Sequence, residues 1–105
     1  MDEHTRTMIA VIQHEKKRYK ILKGRCRLDS FGSECCRLID KHFAFATENN
    51  ITQSLWVYVS INRILTAAIM LAGQPRGRQF DLQKRGIQAQ IGWLYRDLKL
   101  WDTTG

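Results

Sequence analysis

Apolar residues recur along most of this chain three or four positions apart, the period of an α-helix that buries one face. Met8, Ile12, Tyr19 and Leu22 form the first such stripe, with Glu15 in its one missing place. They predict a helix over residues 5–23, for which Gly24 is a plausible stop. The connector GRCRLDSFGSE follows, with Asp29, Ser30, Gly32 and Ser33 as turn formers. Beyond it Cys36, Ile39, Phe43 and Ala46 repeat at 3-4-3 spacing and predict a second helix over 33–48. Ser33 is its natural N-cap, Glu34 lies where the helix dipole favours a carboxylate, and Asn49-Asn50 ends it. A third helix, over 52–73, takes Thr52 or Asn50 as its cap. The segment GQPRGRQ is the clearest break in the chain. A fourth helix over 81–101 then carries Ile87, Ile91, Leu94, Leu98 and Trp101 on its inward stripe.

The third segment contains SLWVYVSINRILTAAIMLAG, which is long enough to cross a bilayer. Its middle holds Asn62-Arg63, and an arginine at the bilayer centre costs at least about 2.5 kcal/mol. Gln53, Ser54, Ser60 and Thr66 dilute it further. A helix apolar around most of its circumference, yet interrupted in this way, belongs at the centre of a bundle rather than in a membrane. The expected fold is therefore an all-α, compact bundle of four helices in one domain spanning 1–105, with the apolar third helix central. One proline and seven glycines leave little turn material for an all-β alternative.

Charge changes the picture most in one window. The net charge is +7, and seven of the 17 basic residues lie in KKRYKILKGRCR, residues 16–27, which has no acid. The other ten are matched by the ten Asp and Glu of the rest of the chain. On a helix Lys16, Lys20 and Lys23 line up beside the apolar stripe, with Tyr19 between them and the core. The run also lacks the interspersed Glu of a solubilising face. Lys16, Lys17, Arg18, Lys20, Lys23, Arg25 and Arg27 are thus expected to meet nucleic-acid phosphates, joined by Arg76 and Arg78 of a second basic cluster, Arg76, Arg78, Lys84 and Arg85, around the start of helix four. An acidic protein surface is the alternative partner. Helix-turn-helix reading of ATENNITQSLWVYVS fails, because its second helix offers base edges almost nothing polar. Phosphate-led contact with DNA or RNA fits better than groove reading.

Little chemistry is assembled in the sequence. Cys26, Cys35, Cys36 and His42 lack the C-x₂₋₄-C spacing of a zinc site, so no metal is expected. Cys36, on the apolar stripe, reads as a small core residue. Cys35 and His42 lie two turns apart, too far for a thiolate dyad. Neither His4, His14, Asp40 nor Glu48 belongs to an acid–base set, and no phosphate-binding glycine loop is present. No enzyme activity and no cofactor are expected. Three cysteines, two of them adjacent, and no secretory or lipidation pattern suggest free thiols and a cytoplasmic setting.

The tryptophans inform on assembly. Trp56 is expected in the core, and Trp101 on the inward stripe of helix four. Ala89, Trp93 and Leu100 make a second apolar flank on that helix, expected to bury in a homodimer or against a partner. Gly86 and Gly92 would then mark close backbone approach. The general look is that of small regulators and of accessory proteins of mobile elements. The expected role is a non-enzymatic regulator or adaptor that binds nucleic acid through 16–27. The alternative is an inhibitor or adaptor of a host protein, acting through the helix-four flank.

Overall fold

The computed structural model describes residues 1–43 and 51–104, with side chains described as far as Lys99. The described residues form four helices: α1 (Glu3–Cys26), α2 (Ser30–Phe43), α3 (Ile51–Ala72) and α4 (Arg78–Thr104). No strand occurs among them. The helices pack as the expected all-α bundle, with α3 in the middle. It touches α1, α2 and α4, whereas α1 and α4 make no contact with each other among the described residues. The body measures 51 × 28 × 19 Å.

Each helix end has a local cause, and several differ from the expected ones. α1 starts at Glu3 rather than residue 5, because the Asp2 carboxylate accepts a 2.7 Å hydrogen bond from the Thr5 amide. It also runs through Gly24, which is not its stop. Cys26 is 1% exposed and its thiol donates to the Leu65 carbonyl of α3 at 3.4 Å, so core contact holds the extra turn in place. α2 starts at Ser30, and Ser33 is not its cap. Asp29 caps it instead, its Oδ2 accepting from the amides of Phe31 at 3.0 Å and Gly32 at 3.2 Å. This earlier start turns the apolar ring of Phe31 into the core. Thr52 lies inside α3, which begins at Ile51. α4 starts at Arg78, three residues before the expected 81. The expected cap Asn50, the stop at Asn49-Asn50, and Ala46 and Glu48 all lie outside the described residues.

The core is one cluster of buried side chains around α3. Val57, Ile61, Ile64, Leu65, Ala68 and Leu71 of α3 meet Leu22 and Cys26 of α1, Phe31, Cys36 and Ile39 of α2, and Ile87, Ile91, Leu94 and Leu98 of α4. A polar pin joins α1 to α3. Asn62, 1% exposed, donates through Nδ2 to the Glu15 carboxylate at 2.7 Å and to the Glu15 carbonyl at 3.1 Å. Glu15 thus occupies its place in the apolar stripe as the acceptor for a buried amide. α3 is the one described helix long and apolar enough to cross a membrane by length and composition. Its Arg63 is exposed, and the face opposite Arg63 is packed against the other helices.

Candidate nucleic-acid interface

The C-terminal part of α1 carries the basic run, and the 100° per residue of a helix decides which charges share a face. Lys16, Lys20, Lys23 and Arg27 follow i, i+4, i+7, i+11 and fall on one flank, with Lys17 beside them on the outer side. Arg18 and Arg25 fall on the opposite flank, well over 120° from Lys20 around the axis. The seven cations therefore form two edges of one helix rather than a single patch. Lys17, Arg18, Lys20, Arg25 and Arg27 are exposed, whereas Lys16 and Lys23 are half-buried.

The half-buried pair is held by aromatic and acidic neighbours. Lys23 Nζ lies 2.6 Å from Asp40 Oδ2 on α2, and 5.5 Å from the centre of the Tyr19 ring. The Tyr19 hydroxyl donates to Asp40 Oδ1 at 2.9 Å. Lys16 lies 5.8 Å from the centre of the Tyr58 ring, which meets Tyr19 edge to face at 5.9 Å. Burial pushes the Asp40 carboxyl up, but the hydrogen bonds from Lys23 and Tyr19 and the charge of Lys23 outweigh it, so its pKa ends below the usual 3.8. Burial, and then the bond to Asp40, push the Tyr19 phenol well above its usual 10. Lys23 is therefore a structural cation joining α1 to α2, already neutralised. Tyr19, Asp40 and Tyr58 also line a cleft of about 320 Å³ floored by Ile39, Val57 and Ile61.

Folding brings Arg76 of the second basic cluster to the connector that follows the first. The α3–α4 connector reaches the α1–α2 connector, where Arg76 makes an ion pair with Asp29 at 3.3 Å and stacks 4.0 Å from the centre of the Phe80 ring. Arg25 and Asp29 line a cleft with Gly73 at the same end of the bundle. Arg78 is exposed at the start of α4. The sequence could not show that Asp29 and Asp40 each cancel one cation, because both acids lie outside the 16–27 run.

Comparison with known proteins gives no matching family model, no matching curated protein and no matching solved structure. The functional reading therefore rests on the chain's own geometry.

The thiols are placed for packing. Cys26, Cys35 and Cys36 are all unbridged and at most 2% exposed. Burial pushes the Cys26 and Cys35 thiols up to about 12, and also raises Cys36. A thiol with so little thiolate at neutral pH is a poor nucleophile. Native protein at pH 8 is expected to leave all three unreacted with a disulfide reagent over the minutes in which denatured protein releases three equivalents. Fast labelling of any one in the native state would show that its helix opens. His42, on the same helix as Cys35 and Cys36, packs against the Tyr95 ring of α4 with centroids 4.4 Å apart.

The helix-four flank is open. Trp93 is 59% exposed and Ala89 half-buried, so Trp93 does not pack under α1, which makes no contact with α4 among the described residues. The side chains of Leu100 and Trp101 lie outside the described residues. Trp56 is only half-buried, at the edge of the core, and shares a cleft of about 210 Å³ with Arg63, Trp93 and Asp97. Gly86 and Gly92 are exposed, and a methyl group added at either would meet nothing within 4 Å. Within one chain they therefore mark no close approach. The helix-turn-helix alternative also fails on burial: Ser54, Val57, Ile61 and Asn62 of its would-be recognition helix are inside the bundle.

Proposed function

We propose that the protein is a non-enzymatic regulator or adaptor that acts in the cytoplasm by binding the phosphate backbone of DNA or RNA along α1. One observation carries this reading: Lys17, Lys20 and Arg27 stand exposed on one side of a long helix, with no ion pair to any described acid. Exposed cations in a row release counterions when they meet a polyphosphate, which gives affinity without base reading. Lys16 on Tyr58 extends the row with an aromatic edge. Lys17 and Lys20 lie along the body of α1 and Arg27 at its C-cap, a row that tracks a backbone rather than base edges, in keeping with sequence-tolerant binding.

The reading divides the basic run into unequal parts, which makes it testable. Reversing Lys17, Lys20 and Arg27 together to Glu is expected to abolish a gel shift with plasmid DNA and with total RNA near physiological salt. The helical circular dichroism should be unchanged, because all three are exposed. For the parent protein, log affinity should fall with log salt at a slope of roughly −3 on duplex DNA, about −0.9 per phosphate neutralised. Lys23→Ala should cost little binding, because its charge is already spent on Asp40. Binding that survives the triple reversal, or that ignores salt, would sink the proposal. The alternative, an inhibitor that docks a host protein by the helix-four flank, is favoured by the exposure of Trp93 and predicts retention of that protein independent of salt.

A further inference from the structure

We infer that the open side of α3 and α4 around Trp93 is covered by a second copy of this chain, in a two-fold contact that pairs Arg63 of one copy with Asp97 of the other. Among the described residues, α1, α2 and α4 leave Arg63 and Met70 of α3 exposed, on a side that runs into the exposed flank of α4. α3 and α4 are antiparallel, joined by residues 73–77, so residues 56–64 lie level with residues 90–97. Trp56, Arg63, Trp93 and Asp97 meet there in a single cleft. Trp93 is 59% exposed and Met70, further along α3, 67% exposed. With half-buried Trp56 and the polar Ser60, Arg63, Gln90 and Asp97 around it, Trp93 gives this side an apolar centre inside a polar rim, the make-up of a contact surface.

Charge and size identify the occupant. With a net charge of +7, two copies repel one another over most of their surface. The charged side chains lining this cleft are one Arg and one Asp, so the cleft itself adds no net charge to the contact. An acidic partner, by contrast, would be drawn to the basic edges of α1. Neither Arg63 nor Asp97 forms an ion pair with a described residue of its own chain, so both remain available to a neighbour. A two-fold axis through Trp93 places the two rings together and satisfies both charges twice, because Arg63 and Asp97 lie on either side of that level along the bundle. From Trp56 to Met70 the face is about 21 Å long and two helices wide, roughly 400 Å² per copy, which is the size of a small, reversible contact rather than the roughly 800 Å² per partner of a standard interface. The same contact leaves Lys17, Lys20 and Arg27 uncovered in both copies, and doubles the basic surface offered to one nucleic acid.

Sedimentation of the full chain over a concentration series tests the inference without any nucleic acid, so its result is independent of the phosphate-binding proposal. The parent should sediment as a dimer. Arg63→Glu and Asp97→Arg, made separately, should each weaken dimerisation by roughly tenfold or more, since each brings two like charges together twice. Mixing the two variants in equal amounts should restore a dimer containing one copy of each. In that mixed dimer the carboxylate introduced at position 63 faces the guanidinium introduced at position 97, and the unaltered Arg63 and Asp97 face each other. Trp93→Ser should give a folded monomer with the parent's helical circular dichroism. A parent that is monomeric at its highest soluble concentration would overturn the inference, and would pass this face to a different protein. A mixture no better associated than either variant alone would overturn it equally.

Discussion

Gly32→Ala is expected to destabilise the protein by about 3 kcal/mol, on the order of 15 °C in melting temperature, while Gly24→Ala, at the other end of the same connector, stabilises it. Both glycines lie in helices, where alanine is ordinarily the better residue by about 1 kcal/mol. Space reverses the sign at Gly32. A methyl group there would collide with the Cys26 carbonyl oxygen and sit 3.0 Å from its carbon, and both are backbone atoms at the end of α1. No rotamer change relieves such a contact, so α2 must shift, taking with it Phe31 and the Asp29 cap. At Gly24 an added methyl meets nothing within 4 Å, and the position is exposed. Paired thermal melts of the two variants check the prediction. Equal melting temperatures would mean that α2 does not approach Cys26 this closely in solution.

That close approach also explains which parts of the fold are legible in the sequence. Periodicity locates four helices and the central one, because α3 is apolar over far more of its surface than one neighbour could cover. The helix ends depart from expectation where tertiary contact overrides local signals. Gly24 is a good stop only for a helix with nothing beyond it, and Cys26 gives α1 a buried residue to reach. Ser33 is a good cap only if α2 starts late, and Phe31 draws the start back to where Asp29 can serve. Gly32, a turn former by residue type, is a packing requirement in the fold. Nothing in its neighbours announces this, because the atom it must clear belongs to another helix.

The candidate site is legible in the sequence as a quantity of charge but not as a surface. Helical spacing already separates Arg18 and Arg25 from Lys20, so part of the geometry can be read from the run itself. The cancellation of Lys23 by Asp40 and of Arg76 by Asp29 cannot, because those acids are 17 and 47 residues away. Arg63 shows the same limit. In the sequence it is the residue that rules out a bilayer centre, and its place beside Trp93 and Asp97 emerges only when α4 folds back along α3.

Asn62→Asp is expected to cost about 3–5 kcal/mol at pH 7, the range for an uncompensated buried charge. Asn62 is 1% exposed, and its Nδ2 now donates 2.7 Å to the Glu15 carboxylate. An aspartate there would face that carboxylate and the Glu15 carbonyl with no proton to offer either. Its pKa in the folded state must rise above the unfolded value near 4, because like charges at this distance cannot both ionise. A group with a raised folded pKa adds stability as the pH falls, so the deficit should narrow as acid is added, fully so only below about pH 4. Urea midpoints at pH 7 and pH 5 should therefore converge toward the parent at the lower pH. Asn62→Leu separates charge from mere loss of the amide. Asn62 Oδ1 is buried without a hydrogen-bond partner, so the present side chain already carries a desolvation cost that leucine lacks. Leucine forfeits the two bonds to Glu15 but removes that orphan, and should stay within about 1 kcal/mol of the parent at both pH values. If the aspartate variant is as stable as the parent at pH 7, the Glu15–Asn62 contact does not join α1 to α3 in solution.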